Sequence, residues 1–199
     1  AIHTNLDNML NGVNEIIGRK LGLINTQILA PATNSLRKLI TYVPSSYVEK
    51  VRESLFDSGA GKIGDYDECS FTSGGEGTFQ AGDNTNAFVG EKGKRHLEAE
   101  QKLEVIYAID KERAILSALS NNHPYEVPAY DILELKNSNL GVGAGLIGDL
   151  ENGVDEITFL KSLKLSMKTD CIRYTDLRGG LIKKVALCGG SGSFLLKNA

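Results

Sequence analysis

Between Leu39 and Leu135 one pattern occurs twice, strand then helix then strand, and this doubling constrains the fold more than any other feature of the chain. Leu39-Ile40-Thr41-Tyr42-Val43 is apolar and β-branched and is stopped by Pro44, as a strand would be. Ser46 and Glu49 stand at capping-box spacing before a helix whose one face carries Val48, Val51, Leu55 and Phe56. Gly59 and Gly61 close that helix. A strand-like stretch through Cys69, Phe71 and Phe79 follows, interrupted by Gly74, Gly75 and Gly77 in the manner of an extended hairpin or flap. The second copy is cleaner. Leu103, Val105, Tyr107 and Ile109 alternate as a strand, Asp110 is placed to cap a helix carrying Ile115, Leu116 and Leu119, and Pro124 limits it. Val127 to Leu135 then reads as the closing strand.

Two such units make the split arrangement of a ferredoxin-like βαββαβ domain, with four antiparallel strands and both helices on one face. The uncovered sheet face needs a partner, so self-association is expected. Asn25 to Lys38 and Lys136 to Gly148 are polar or glycine-rich and read as the two crossings of an insertion into a host domain. The predicted boundaries are 38–136 for the insert and 1–37 with 137–199 for a host discontinuous in sequence. In the host, Asp155 to Leu165 predicts a helix, Cys171-Ile172-Arg173-Tyr174 and Lys184 to Cys188 predict strands, and a further helix is expected from Ser193.

Composition narrows the function classes. A chain of 199 residues that is 41% hydrophobic can bury a core, and a net charge of -3 gives no overall field for nucleic acid. No apolar run approaches the roughly 20 residues needed to cross a bilayer, so no membrane segment is expected. Cys69, Cys171 and Cys188 are odd in number and widely spaced, which argues against a disulfide framework and for a reducing cytoplasm.

Four motifs can carry chemistry. His3 and Asp7, in His3-Thr4-Asn5-Leu6-Asp7, are either metal ligands and proton handlers or a backbone-bonded histidine and a turn cap. Just after them, Gly12 and Asn14 are expected to form the turn before an amphipathic run of Val13, Ile16 and Ile17. Gly189-Gly190-Ser191-Gly192 follows the apolar Val185-Ala186-Leu187 and offers backbone amides to an anion, or else a tight strand-to-helix turn. Gly143, Gly145 and Gly148 have dinucleotide-fingerprint spacing. Acidic Asp149 stands where the helix should start, so an irregular strand is expected there instead. His123 and Glu126 form a His-x-x-Glu pair that could coordinate a metal, but with Pro124 fixing the helix end they are read as structural, His123 satisfying helix-end carbonyls and Glu126 pairing across a subunit boundary. Cys188 has no imidazole beside it in sequence and is read as a small buried residue.

Taken together, the HTNLD segment, the insert and Val185-Ala186-Leu187-Cys188-Gly189-Gly190-Ser191-Gly192 resemble the Nif-three-like family, known in bacteria as GTP cyclohydrolase 1 type 2 homologues. The resemblance implies an α/β host carrying a PII-like or CutA-like insert, and His123-Pro124-Tyr125-Glu126-Val127-Pro128 is similar to a CutA signature. It further implies two divalent metal ions per intact subunit, of open identity, with Asp7 a ligand and His3 an orienting neighbour. Hydrolytic chemistry on an unidentified small molecule and assembly into a trimer or hexamer are implied too. The family's paired histidines upstream and its histidine and glutamate downstream have no counterpart here. The chain is therefore expected to be a central fragment, inactive alone. A rival expectation is an assembly or small-molecule-sensing module without catalysis.

Overall fold

The computed structural model describes residues 8, 9 and 12–199; the expectations placed on His3 and Asp7 lie outside the described residues. The fold is mixed α and β with two antiparallel sheets. The chain divides into two compact units, Thr33–Ser138 forming one, and Asn139–Ala199 with the described residues up to Ala32 forming the other.

In the first unit, β2 (Leu36–Pro44), β3 (Ser70–Gln80), β4 (Arg95–Ala108) and β5 (Tyr130–Leu135) lie in the order β3-β4-β2-β5, all antiparallel. With helices α2 (Val48–Asp57) and α3 (Glu112–Asn122) in the crossovers, this is the ferredoxin-like topology. Leu39 and Val43 of β2 meet Leu103 and Val105 of β4 and, from the helices, Val51, Leu55, Ile115 and Leu119. The 3-4 spacing of those helical residues puts each apolar stripe on the sheet. Helix α3 ends at Asn122 because His123 precedes Pro124 and is extended, at φ -72 and ψ 137.

Several local expectations fail here for identifiable reasons. Ser46 and Glu49 do not form a capping box; Tyr47 is the N-cap, and Glu49 pairs instead with Arg52 three residues on. Ile109 and Asp110 leave the strand for a single 3-10 turn, Ile109–Lys111, and Asp110 makes no capping bond. The glycines do not interrupt β3, which stays paired to β4 over all eleven residues, so the cross-strand ladder outweighs glycine's weak strand preference.

The second unit holds α1 (Val13–Lys20), β1 (Leu23–Ala32), β6 (Asn139–Asp155), α4 (Glu156–Met167) and β7 (Leu181–Leu187), with sheet order β1-β6-β7. Most of the two segments expected as crossings, from Asn25 and towards Gly148, is strand: Leu23 pairs with Leu150 and Ala30 with Ala144. Their polarity reflects a half-exposed three-stranded sheet, not a linker. Gly143 and Gly148 serve this pairing, since a Cβ on Gly143 would lie 2.3 Å from the Ala30 carbonyl oxygen, and one on Gly148 would lie 3.1 Å from that of Ile24. Asn14 is a helical residue, not a turn residue, and with Gly18 forms the buried face of α1, while Ile16 is exposed. Gly18 lets α1 settle on β6, because a Cβ there would meet the Leu146 side chain at 2.6 Å. Asp155 caps α4, accepting from the Thr158 N–H at 3.0 Å. The stretch Cys171 to Tyr174 pairs with no strand, and only a 3-10 turn, Ser193–Leu195, follows the late glycines.

Candidate functional site

In the discontinuous unit the glycine loop is built against helix α1. Gly189 donates its N–H to Asn14 Oδ1 at 2.7 Å, and a Cβ on Gly189 would lie 2.9 Å from Val13 Cγ1 and 3.3 Å from Ile17 Cδ1. Only glycine brings the loop this close to the helix. Gly192 is similarly required, since a Cβ there would sit 2.8 Å from Cys188 Cβ. Leu195 is buried beneath the turn that follows, and Ser191 stays exposed. The anchor uses the Gly189 amide, so that N–H does not face an anion; the amides of Gly190, Ser191 and Gly192 are the ones left to consider. On the other side, Asn8 accepts from the Gly143 N–H at 2.8 Å, next in sequence to Asp7. Among the described residues no three of histidine, cysteine, aspartate and glutamate gather to hold a metal ion. Cys188 is half-buried.

Sequence reading missed a second feature, a cavity of about 630 Å³ wholly within the Thr33–Ser138 unit. Its floor is β3 with Tyr42 and Glu100, and its walls are Phe79, Phe88 and Tyr125. Tyr125 packs its ring 5.8 Å from that of Phe79 and 6.3 Å from that of Phe88, and its hydroxyl donates to Glu100 Oε1 at 2.8 Å. Burial, and then the Glu100 carboxylate, push the Tyr125 hydroxyl pKa upward, so it stays a donor. Lys102, also on the cavity, is paired with Glu104, which Lys38 Nζ contacts from the other side at 2.9 Å. The hydrogen bond from Lys102 and then that from Lys38 hold the Glu104 carboxyl below its ordinary range. The signal in the sequence was the spacing of Gly75, Gly77 and Phe79, which puts two absent side chains and a ring on one sheet face.

His123 is structural by a route different from the expected one. It is buried, its Nε2 donates to the Tyr42 carbonyl at 3.0 Å, and its Nδ1 accepts from the Tyr125 N–H at 3.1 Å. Both ring nitrogens are thereby occupied and fix the neutral tautomer. Glu126 finds its partner within the chain, accepting from the Asn86 N–H at 3.0 Å.

The Duf34/NIF3 (NGG1p interacting factor 3) family profile matches residues 1–199. A Bacillus subtilis protein named GTP cyclohydrolase 1 type 2 homolog is 38% identical over 200 residues, which is 100% of this chain and 54% of the relative. Among solved structures, a Bacillus cereus protein related to NIF3 superposes with a TM-score of 0.82 at 34% identity, covering 99% of this chain and 52% of that one. Staphylococcus aureus protein SA1388 matches at a TM-score of 0.59 and 26% identity, covering 98% of this chain and 49% of that one. The chain belongs to the Duf34/NIF3 family. It spans about half the length of the curated relatives it matches.

Proposed function

We propose that the intact protein is a hydrolase working with two divalent metal ions, that Asp7 ligates one of them with His3 orienting the site, and that the Gly190 to Gly192 amides contact an anionic group of the substrate. When bound, such an ion pair supplies a water acidic enough to attack at neutral pH and polarises the bond to be broken. This chain's own part is to tie the backbone that follows Asp7 to β6 and the glycine loop to α1. The observation that supports it most is the double anchoring of the segment after the HTNLD signature: Asn8 is bonded to Gly143 and helix α1 to Gly189. Family membership supports it too, and the relatives' shared name makes purine nucleotides the first substrates to try. That name also weighs against a module without catalysis.

The test is elemental analysis of the full-length protein and its Asp7→Ala variant after manganese or zinc loading, with hydrolysis of a nucleotide panel. Loss of bound metal together with hydrolysis in the variant is expected, and equal metal content in both proteins removes Asp7 from the site. The 199-residue chain alone is expected to hold fewer than two ions.

Phe71 and Leu133 are exposed on the sheet face opposite the helices, which supports self-association as a trimer or hexamer, measurable by light scattering. Cys69, Cys171 and Cys188 are free thiols, which suits a reducing cytoplasm. Among the described residues no helix is long and apolar enough to cross a membrane.

A further inference from the structure

We propose that the cavity of the Thr33–Ser138 unit binds a small organic cation, an amidinium, guanidinium or primary ammonium carried on a flat apolar body. This is a site separate from the proposed hydrolytic one and does not rest on it. A volume of about 630 Å³ is that of a small-molecule pocket, and apolar walls with few polar groups are what such pockets present. Gly75 leaves open space on the cavity lining. This residue sits in a regular strand, outside the left-handed region, so its glycine is not needed for a turn, and a Cβ there would meet nothing within 4 Å. A bulky side chain there would project from the β3 lining on the face that carries Glu100 and narrow the cavity.

The charge of the lining selects the ligand. Glu100 and Glu126 line the cavity against the single base Lys102, whose ammonium is committed to Glu104; Glu76 lies between Gly75 and Gly77, so its side chain leaves β3 on the other face. An anion would meet two carboxylates, and a cation is drawn in. Glu100 is the best-positioned partner. The Tyr125 hydroxyl holds its Oε1, and its Oε2 lies over Gly77, where a Cβ would come within 2.1 Å of it. The glycine thus makes room for the carboxylate at the cavity floor, beside the Tyr125 and Phe79 rings. A carboxylate next to aromatic faces is suited to a cation with an apolar plane, through charge-assisted hydrogen bonds and cation–π attraction together.

The probe is benzamidine, with neutral benzamide as its near isostere, titrated by calorimetry into the whole chain and into Glu100→Gln and Gly75→Val variants. Glu100→Gln keeps an oxygen for the Tyr125 hydroxyl, and Gly75→Val projects into open space. Circular dichroism melts confirm that each variant folds. Saturable benzamidine binding is expected, weakened about tenfold or more in Glu100→Gln and in Gly75→Val, and about tenfold or more tighter than benzamide, as loss of a charge-assisted bond dictates. The proposal is overturned by equal binding of benzamidine and benzamide, by unchanged affinity in Glu100→Gln, or by no saturation at about 10 mM probe. If Gly75→Val fails to fold, Glu100→Gln and the benzamide comparison decide alone.

Discussion

Asn14 Oδ1 and the Gly189 N–H meet at 2.7 Å across 175 positions of sequence, joining the first described helix to the last glycine loop. Asn14 is buried while Gly189 is exposed, so removing the Asn14 amide costs the hydrogen bond itself, and water can take over part of the Gly189 donor. Asn14→Ala is therefore expected to cost about 0.5–1.5 kcal/mol, the net worth of a part-buried hydrogen bond. Urea denaturation measures it. A change below about 0.5 kcal/mol means that the loop is held by packing alone.

Gly61 gives a sharper local test. Its φ is +83, its N–H donates to the Ile106 carbonyl and its own carbonyl accepts from Cys69, both at 2.8 Å. A Cβ there would lie 2.7 Å from the Phe56 ring and 3.0 Å from the Cys69 nitrogen. Gly61→Ala adds left-handed strain to a collision, so a loss of about 2 kcal/mol or more is expected in the same denaturation assay. Gly64→Ala shares the positive φ, at +58, but meets nothing within 4 Å. It should lose only the strain portion, about 1 kcal/mol.

The elements legible in the sequence are those set by neighbours a few residues apart. Leu39 to Val43 before Pro44, and Ile115 with Leu119 before Pro124, announce strand and helix because burial on one face imposes a period. What failed depends on distant chain. Strand β1 is broken by the polar run Asn25-Thr26-Gln27 and β6 is glycine-rich, and nothing within either segment says that Leu23 will face Leu150. Ser46 and Asp110 have capping chemistry, but Tyr47 and Lys111 occupy the cap positions. The late glycine loop was recognisable from its strand and its glycines. Its anchor was not, because Asn14 reads as a turn residue until the helix that contains it is seen. The cavity was hidden for the same kind of reason: Gly75 and Gly77 look like breaks in a strand until β4 is laid beside them.

Arg37 and Glu134 form an ion pair at 3.1 Å whose two halves should differ in worth. The Arg37 side chain is 11% exposed and also donates through Nη1 to the Asn34 and Leu36 carbonyls at 2.9 and 3.1 Å; the Glu134 side chain is 76% exposed. Exposed ion pairs contribute about 0–1 kcal/mol, so Glu134→Gln should change stability by about 0.5 kcal/mol or less. Arg37→Met removes the donors from both carbonyls and is expected to cost about 1–3 kcal/mol. Similar losses in the two variants would place the value in the ion pair itself, against this reading.

His123 makes stability depend on pH with a definite sign. Burial lowers its pKa below the ordinary 6.5, outweighing the opposing effects of the Tyr42 carbonyl and of Glu100. Protonating Nδ1 would aim a proton at the Tyr125 N–H, so the folded protein prefers the neutral ring. The unfolded chain then binds more protons than the folded one at pH values between the two pKa values, and stability rises with pH there. This contribution is complete above about pH 6.5 and is lost as pH falls through the lowered folded value. His96, the other described histidine, lies beside Glu98 at 2.8 Å and is only partly buried, so the two rings sit in different surroundings and give separate NMR resonances. The His123 resonances should stay those of a neutral ring below pH 6.5, and a His123→Asn variant should be less stable at pH 7 yet lose less on acidification from pH 7 to about 5.5. A His123 titration at or above 6.5, or an unchanged acid slope in the variant, would show that burial does not govern this ring.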